Sequence, residues 1–185
     1  MVSHLRLASR LAASVASDDE CLSAFEREIH YIHRSFRRLG TPPSEVEDLA
    51  QELFLAFRDS WSKYDPSRPL RPYLFAFAFR IAAAHHRKRK RELAMGVAEM
   101  TDQEPNPEES LRSKQARALV LVALDRIPLP RRAVLIMHEL DDVPVSDVAS
   151  LLAIPRFTAY SRLRKARREL HAAIERLGRE GTDES

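Results

Sequence analysis

The chain has 185 residues, of which 31% are charged, and a formal net charge of only +3. That length accommodates one domain or two small ones, and the small balance hides acids and bases collected in different segments, as suits a protein bridging an acidic polymer and a basic protein surface. Four glycines, no glycine-rich phosphate loop and no strand-like alternation leave an all-α chain.

Residues 1–19 read as a flexible N-terminal arm. Arg6 and Arg10 interrupt its apolar residues, so it makes a poor export signal and a cytoplasmic protein is expected. The lone Cys21 permits no intramolecular disulfide and fits a reducing compartment. Leu22, Phe25, Ile29, Ile32 and Phe36 form a helical stripe ending at Leu39, with Gly40 as its cap. His30 and His33 share a helix face, but no further ligands are spaced to close a site, so neither metal nor cofactor is expected.

Ser44 and Glu47 have capping-box spacing, which starts a second helix at Ser44 after Pro42 and Pro43. Val46, Leu49, Ala50, Leu53 and Phe57 mark its buried face. Glu45, Asp48, Gln51, Glu52 and Asp59 lie off that stripe, either as a solvated face or as an acidic docking surface for a basic partner. Pro66, Pro69 and Pro72 stiffen the following loop, and Pro72 is placed to open the next helix. That helix carries Tyr73, Leu74, Phe75, Phe77, Phe79 and Ile81, apolar nearly all round yet too short to span a bilayer. Its rings either fill a core or leave one or two free to stack on unpaired bases. It ends in Arg87-Lys88-Arg89-Lys90-Arg91, suited to a phosphate backbone or simply to solvent.

Residues 94–110 are acidic and proline-containing, a flexible linker. About 17 residues at ~3.3 Å each reach ~55 Å. Helix resumes over 111–126, with Leu119, Val120, Ala123 and Leu124 inward. Ile127-Pro128-Leu129-Pro130 breaks it, Pro130 starts another helix, and Asp141-Asp142 ends that one. A short helix over 145–152, a tight turn and a helix from Pro155 make a helix-turn-helix. The last helix turns Ala159, Leu163, Ala166, Leu170 and Ile174 inward. Its other side, with Phe157, Tyr160, Ser161, Arg164, Lys165 and Arg168, is fit to enter a major groove. Residues 178–185 read as a short polar tail.

D-L-A-Q-E at 48–52, K-Y-D-P at 63–66, R-P-Y-L-F at 71–75 and the basic helix end resemble region 2 of bacterial sigma factors, and the short chain resembles their extracytoplasmic-function group. I-P-L-P-R-R-A-V-L at 127–135 and I-P-R-F-T-A-Y-S-R-L-R-K-A-R at 154–167 resemble region 4. The resemblance spans roughly 20–177 and divides the chain into a region 2 domain over 20–93 and a region 4 domain over 111–177. It implies a non-enzymatic initiation factor with core RNA polymerase, promoter DNA and an anti-sigma factor as partners. Asp48, Gln51 and Glu52 match the family's polymerase-docking motif. Minus-ten contacts fall to Arg71, Tyr73 and Arg80, and Arg87 joins them from the basic run. Minus-35 base contacts fall to Tyr160, Ser161, Arg164 and Lys165, with Arg156, Arg162 and Arg167 on phosphates. Tyr73 stands where the family usually has tryptophan, Arg80 where asparagine is common, and Ala153 and Phe157 where glycines are usual. A negative φ is expected at the Ala153 turn. The alternative from another class is a stand-alone helix-turn-helix regulator, which leaves the 44–91 stretch unexplained. No paired carboxylates or activated nucleophile suggest an enzyme or a small-molecule substrate.

Overall fold

A computed structural model describes residues 18–95 and 111–183. Of the arm expected over 1–19, residues 1–17 lie outside the described residues, while Asp18 and Asp19 already belong to a helix; of the linker expected over 94–110, residues 96–110 lie outside them, while Ala94 still ends a helix. Everything regular among the described residues is helical. The first element is α1 (18–27), followed by α2 (Ile29–Arg38). The single helix expected from Leu22 to Leu39 is therefore broken at Glu28, whose φ of −106° and ψ of 6° leave the helical range. Phe25, Ile32, Phe36 and Leu39 are buried, but Leu22 is exposed. Gly40, at φ 86°, ends α2 as expected: its N–H reaches the Arg37 carbonyl and that of Thr41 reaches Phe36.

Helix α3 (Val46–Ser60) buries Val46, Leu49, Ala50, Leu53 and Phe57, the whole expected stripe. Its start differs: Pro43–Glu45 form a 3-10 turn, and no side chain caps the helix. The capping box at Ser44 and Glu47 is not formed. Glu47 instead lies 3.4 Å from His33 of α2.

Helix α4 (Leu70–Ala94) is the central helix of this half, packed on α2 and α3. It begins two residues before Pro72, which sits in the first turn where a missing N–H costs no helix bond. Leu74, Phe75, Phe77, Ala78, Ile81 and Ala82 are buried, so its aromatic richness serves a core surrounded on several sides.

In the second half, α5 (Leu111–Asp125) turns Ala123 and Leu124 inward. Leu119 and Val120, expected inside, are more than two-fifths exposed. Helix α6 (Leu129–Leu135) starts one residue before Pro130, with Pro128 at its cap, and continues as a π-turn over Ile136–Leu140. Asp141 ends it and Asp142 takes the left-handed φ of 54°. Helix α7 (Val145–Leu151) and α8 (Arg156–Asp183) form the helix-turn-helix. Ala159, Leu163, Ala166 and Ala173 are buried, whereas Ile174 is exposed. The last helix runs past Gly178 to Asp183, where a polar tail was expected.

Arg132 is 5% exposed and joins α5 to α6. Its guanidinium donates to the carbonyls of Asp125 (2.9 Å) and Ile127 (3.0 and 3.1 Å) and meets the Asp125 carboxylate at 2.5 Å. Those contacts satisfy carbonyls that the end of α5 leaves without helix partners. Burial holds its pKa below the usual arginine value, with Asp125 opposing that shift. One cluster of buried side chains, from Cys21 to Ala166, runs through both halves.

Candidate polymerase-docking and nucleic-acid surfaces

Asp48, Gln51 and Glu52 share the exposed side of α3 because the opposite side is held in the core by Leu49, Ala50 and Leu53. Beside them, between α1 and α3, lies an apolar cleft of about 390 Å³ lined by Leu22, Phe25, Ala50, Gln51, Phe54 and Leu55. The acidic face is thus bordered by an apolar strip. Its trace in the sequence is Phe54 and Leu55, two apolar residues of α3 that lie off the buried stripe.

The expected minus-ten residues divide by environment. Tyr73 is half-buried among rings, with centroids 5.2 Å from Tyr64, 5.2 Å from Phe77 and 6.4 Å from Phe57. Trp61 stacks on Tyr64 at 5.5 Å. The tyrosine therefore belongs to an aromatic chain supporting the proline-rich loop. In that loop Tyr64 donates to the Arg68 carbonyl at 2.6 Å. Asp65 accepts from the Ser67 hydroxyl (2.7 Å) and backbone N–H (3.0 Å), which hold its carboxyl below its ordinary pKa. Arg71 is exposed but engaged: its Nε meets Glu28 at 2.7 Å and its guanidinium lies 5.5 Å from the centre of the Tyr31 ring. Arg80 is exposed over Phe77 at 4.5 Å. Arg87 is exposed about two turns further along α4. Nearby, Arg89 and His85 approach Glu45, and Lys88 approaches Glu92, so the basic run is partly neutralised by its own helix and by the start of α3.

The last helix gives the other surface. Arg156, Tyr160, Arg164, Lys165 and Arg168 are exposed on it, and Phe157 is 84% exposed. Ser161 and Arg162 are half-buried. With Lys165, Phe157 and the Pro128–Arg131 end of α6, they line a shallow cleft of about 380 Å³. Arg167 is drawn away from this surface into a pair with Glu139, at 2.6 Å from Nη2 and 2.7 Å from Nε. Arg131 likewise pairs with Glu169. The expected surface thus comes together at Arg156, Tyr160, Ser161, Arg162, Arg164 and Lys165, while Arg167, though exposed, is engaged by Glu139.

The turn before this helix departs from expectation. Ala153 has φ 52°, not a negative angle, because the Ile154 N–H bonds to the Ala149 carbonyl at 2.9 Å and that of Ala153 to Ser150 at 3.2 Å. That closure requires the left-handed conformation wherever it ends a helix. Alanine adopts it here at a strain of about 1–2 kcal/mol.

Among the described residues no group of three or more His, Cys, Asp or Glu is placed to hold a metal ion, and no helix is long and apolar enough to cross a membrane.

The model of Sigma-70 region 2 matches residues 24–92, and that of Sigma-70, region 4 matches residues 110–170. The chain is 25% identical over 156 residues to the RNA polymerase sigma factor NccH of Alcaligenes xylosoxydans xylosoxydans, covering 81% of this chain and 84% of that one. It is 26% identical over 176 residues to the ECF RNA polymerase sigma factor SigL of Mycobacterium tuberculosis, covering 92% and 98%. Its fold resembles that of the sigma factor RpoE of Bartonella quintana, solved in complex with the anti-sigma factor NepR, at TM-score 0.62 and 21% identity over 82% of this chain and 97% of that one. It also resembles CnrH, solved with the cytosolic domain of CnrY, at TM-score 0.61 and 19% identity over 88% and 94%. With an acid-faced α3 in the first matched region and a cation-faced helix-turn-helix in the second, the chain belongs to the sigma-70 family, in its extracytoplasmic-function group, and is a transcription initiation factor.

Proposed function

We propose that this factor attaches to core RNA polymerase through Asp48, Gln51 and Glu52, and that the apolar cleft beside them widens the contact. Arg80 and Arg87, with Arg71 once it is released from Glu28, hold the minus-ten strand. Tyr73 props the aromatic platform under that contact. Arg156, Tyr160, Ser161, Arg162, Arg164 and Lys165 read the minus-35 element. The working units are a region 2 domain over 20–93 and a region 4 domain over 111–177, joined by the acidic linker. The protein acts in the cytoplasm by binding alone, without bond chemistry. An anti-sigma factor is its natural antagonist, a role supported by the two resembling structures, RpoE with NepR and CnrH with CnrY.

The observation carrying this reading is the separation of charge. Exposed acids occupy one face of α3, and exposed cations occupy the outer face of α8. The first matches a basic protein surface and the second a polyanion. Run-off transcription with purified core polymerase and a genomic library tests it. New, discrete transcripts that depend on the added factor are expected. Duplex binding without any polymerase-dependent transcript would establish a stand-alone regulator instead.

A further inference from the structure

The two halves of the chain touch through a polar contact that neither surface described above requires. The Tyr31 hydroxyl of α2 donates to Asp141 Oδ2 at 2.6 Å, across 110 positions of sequence. Arg38, two turns along the same helix, approaches Oδ1 at 3.4 Å. Tyr31 is 4% exposed, and the Asp141 side chain is 10% exposed. Arg34 and Arg71 face the same carboxylate from further away. Asp141 is presented at this notch by the end of the α6 π-turn and the left-handed Asp142 that follows.

A second observation comes from the backbone. A Cβ on Gly40 would stand 2.5 Å from Arg132 Nη1 and 2.7 Å from Asp125 Oδ1. The end of α2 therefore lies directly against the α5–α6 joint of the other half. Helix α2 packs on α5, and α4 packs on α7.

We infer that the Tyr31–Arg38 notch is a docking site for the chain's own Asp141, a latch that holds the factor closed and must open before both promoter elements are engaged. The inhibitory part rests on the sigma-factor reading. In the closed form both DNA-facing surfaces ride on one body with a shared apolar core. Arg71, assigned to the minus-ten strand, is held beside the notch by Glu28 and the Tyr31 ring. A carboxylate seated among arginines and a tyrosine hydroxyl occupies a place chemically suited to a phosphate. Opening exposes that cationic notch in region 2 and separates region 4 from it. The apparent affinity for polymerase and promoter is lowered by the fraction of molecules that are closed.

Small-angle scattering on the full chain, paired with titration of core polymerase, tests the latch. Asp141→Arg sets like charges against Arg38, Arg34 and Arg71, and is expected to enlarge the radius of gyration. It is also expected to raise apparent affinity for core polymerase by about three- to tenfold. Adding Arg38→Asp restores opposite charges and is expected to return both readings toward wild type. Tyr31→Phe removes only the hydroxyl and shifts both readings the same way, by less. If Asp141→Arg loses helical circular dichroism, Tyr31→Phe decides. Variants as compact as wild type would overturn the latch, and expansion without tighter polymerase binding would overturn its inhibitory role. A wild-type chain that never binds core polymerase would sink the sigma-factor reading instead, with the scattering still deciding whether the latch exists.

Discussion

The N-terminal half is held by rings and the C-terminal half by small residues and ion pairs. In the first, Phe25, Phe54, Phe57, Trp61, Tyr64, Tyr73 and Phe77 contact one another in sequence through the interior of α1, α3 and α4. Such pairs contribute ~0.5–1.5 kcal/mol each beyond their buried area. Stability there comes from apolar contact, so Asp48, Gln51 and Glu52 can remain exposed without structural duty. In the second half Ala133, Ala149, Ala159 and Ala166 let α6, α7 and α8 cross closely. Its loops and helix ends are then secured by Arg132 with Asp125, Arg131 with Glu169 and Arg167 with Glu139. A cation-rich half therefore divides its arginines between structural pairs and the exposed face of α8, and net charge alone cannot tell which do which.

The sharpest way to break this comparison is to reverse charge where the acids have no structural duty. Asp48→Lys with Glu52→Lys is expected to leave the melting temperature within a degree or two and to weaken core polymerase binding about a hundredfold or more, ~3 kcal/mol. A co-sedimentation or anisotropy titration reads the binding, and thermal unfolding reads the stability. Loss of stability comparable with loss of binding would mean that the acids hold the fold.

In the other half the opposite holds for a cation. Arg132→Met removes one partner of a buried pair and strands the Asp125 and Ile127 carbonyls. The expected loss is about 3 kcal/mol in denaturant unfolding. Lys165→Ala, by contrast, is expected to leave stability unchanged and to weaken one promoter class by ~1–3 kcal/mol. Binding lost equally on every sequence would reassign Lys165 to phosphate.

What the sequence shows of this fold depends on how clean each apolar period is. The α3 stripe is legible because Glu47, Asp48, Gln51 and Glu52 separate its members over the first two turns, although Phe54, Leu55 and Ala56 blur it further on. The run A-L-V-L-V-A-L at 118–124 is apolar at each position, so periodicity cannot choose a face, and Leu119 and Val120 prove exposed. After Leu170 a step of three or of four residues continues the α8 stripe equally well, and over 28 residues the drift favours Ala173 over Ile174. The capping-box letters at Ser44 and Glu47 are present, but two preceding prolines and a 3-10 turn move the helix start past them. The candidate surfaces are mostly legible because surface charge on an amphipathic helix is a local property. Arg167 and Arg71 are not, since the acids that engage them, Glu139 and Glu28, lie 28 and 43 residues away. The Tyr31–Asp141 contact is further still from any local pattern.

The smallest expected effect concerns the turn of the helix-turn-helix. Glycine at position 153 would relieve the left-handed strain but would also give the unfolded chain more freedom. The strain of ~1–2 kcal/mol for a residue with a Cβ exceeds the ~0.4–1 kcal/mol entropic cost. Ala153→Gly is therefore expected to stabilise the protein by about 0.5 kcal/mol in denaturant unfolding. No comparable gain exists at the end of α2, where Gly40 already supplies the positive φ and any side chain would strike Arg132 and Asp125. A destabilised Ala153→Gly variant would mean that the alanine methyl, not the turn geometry, matters between α7 and α8.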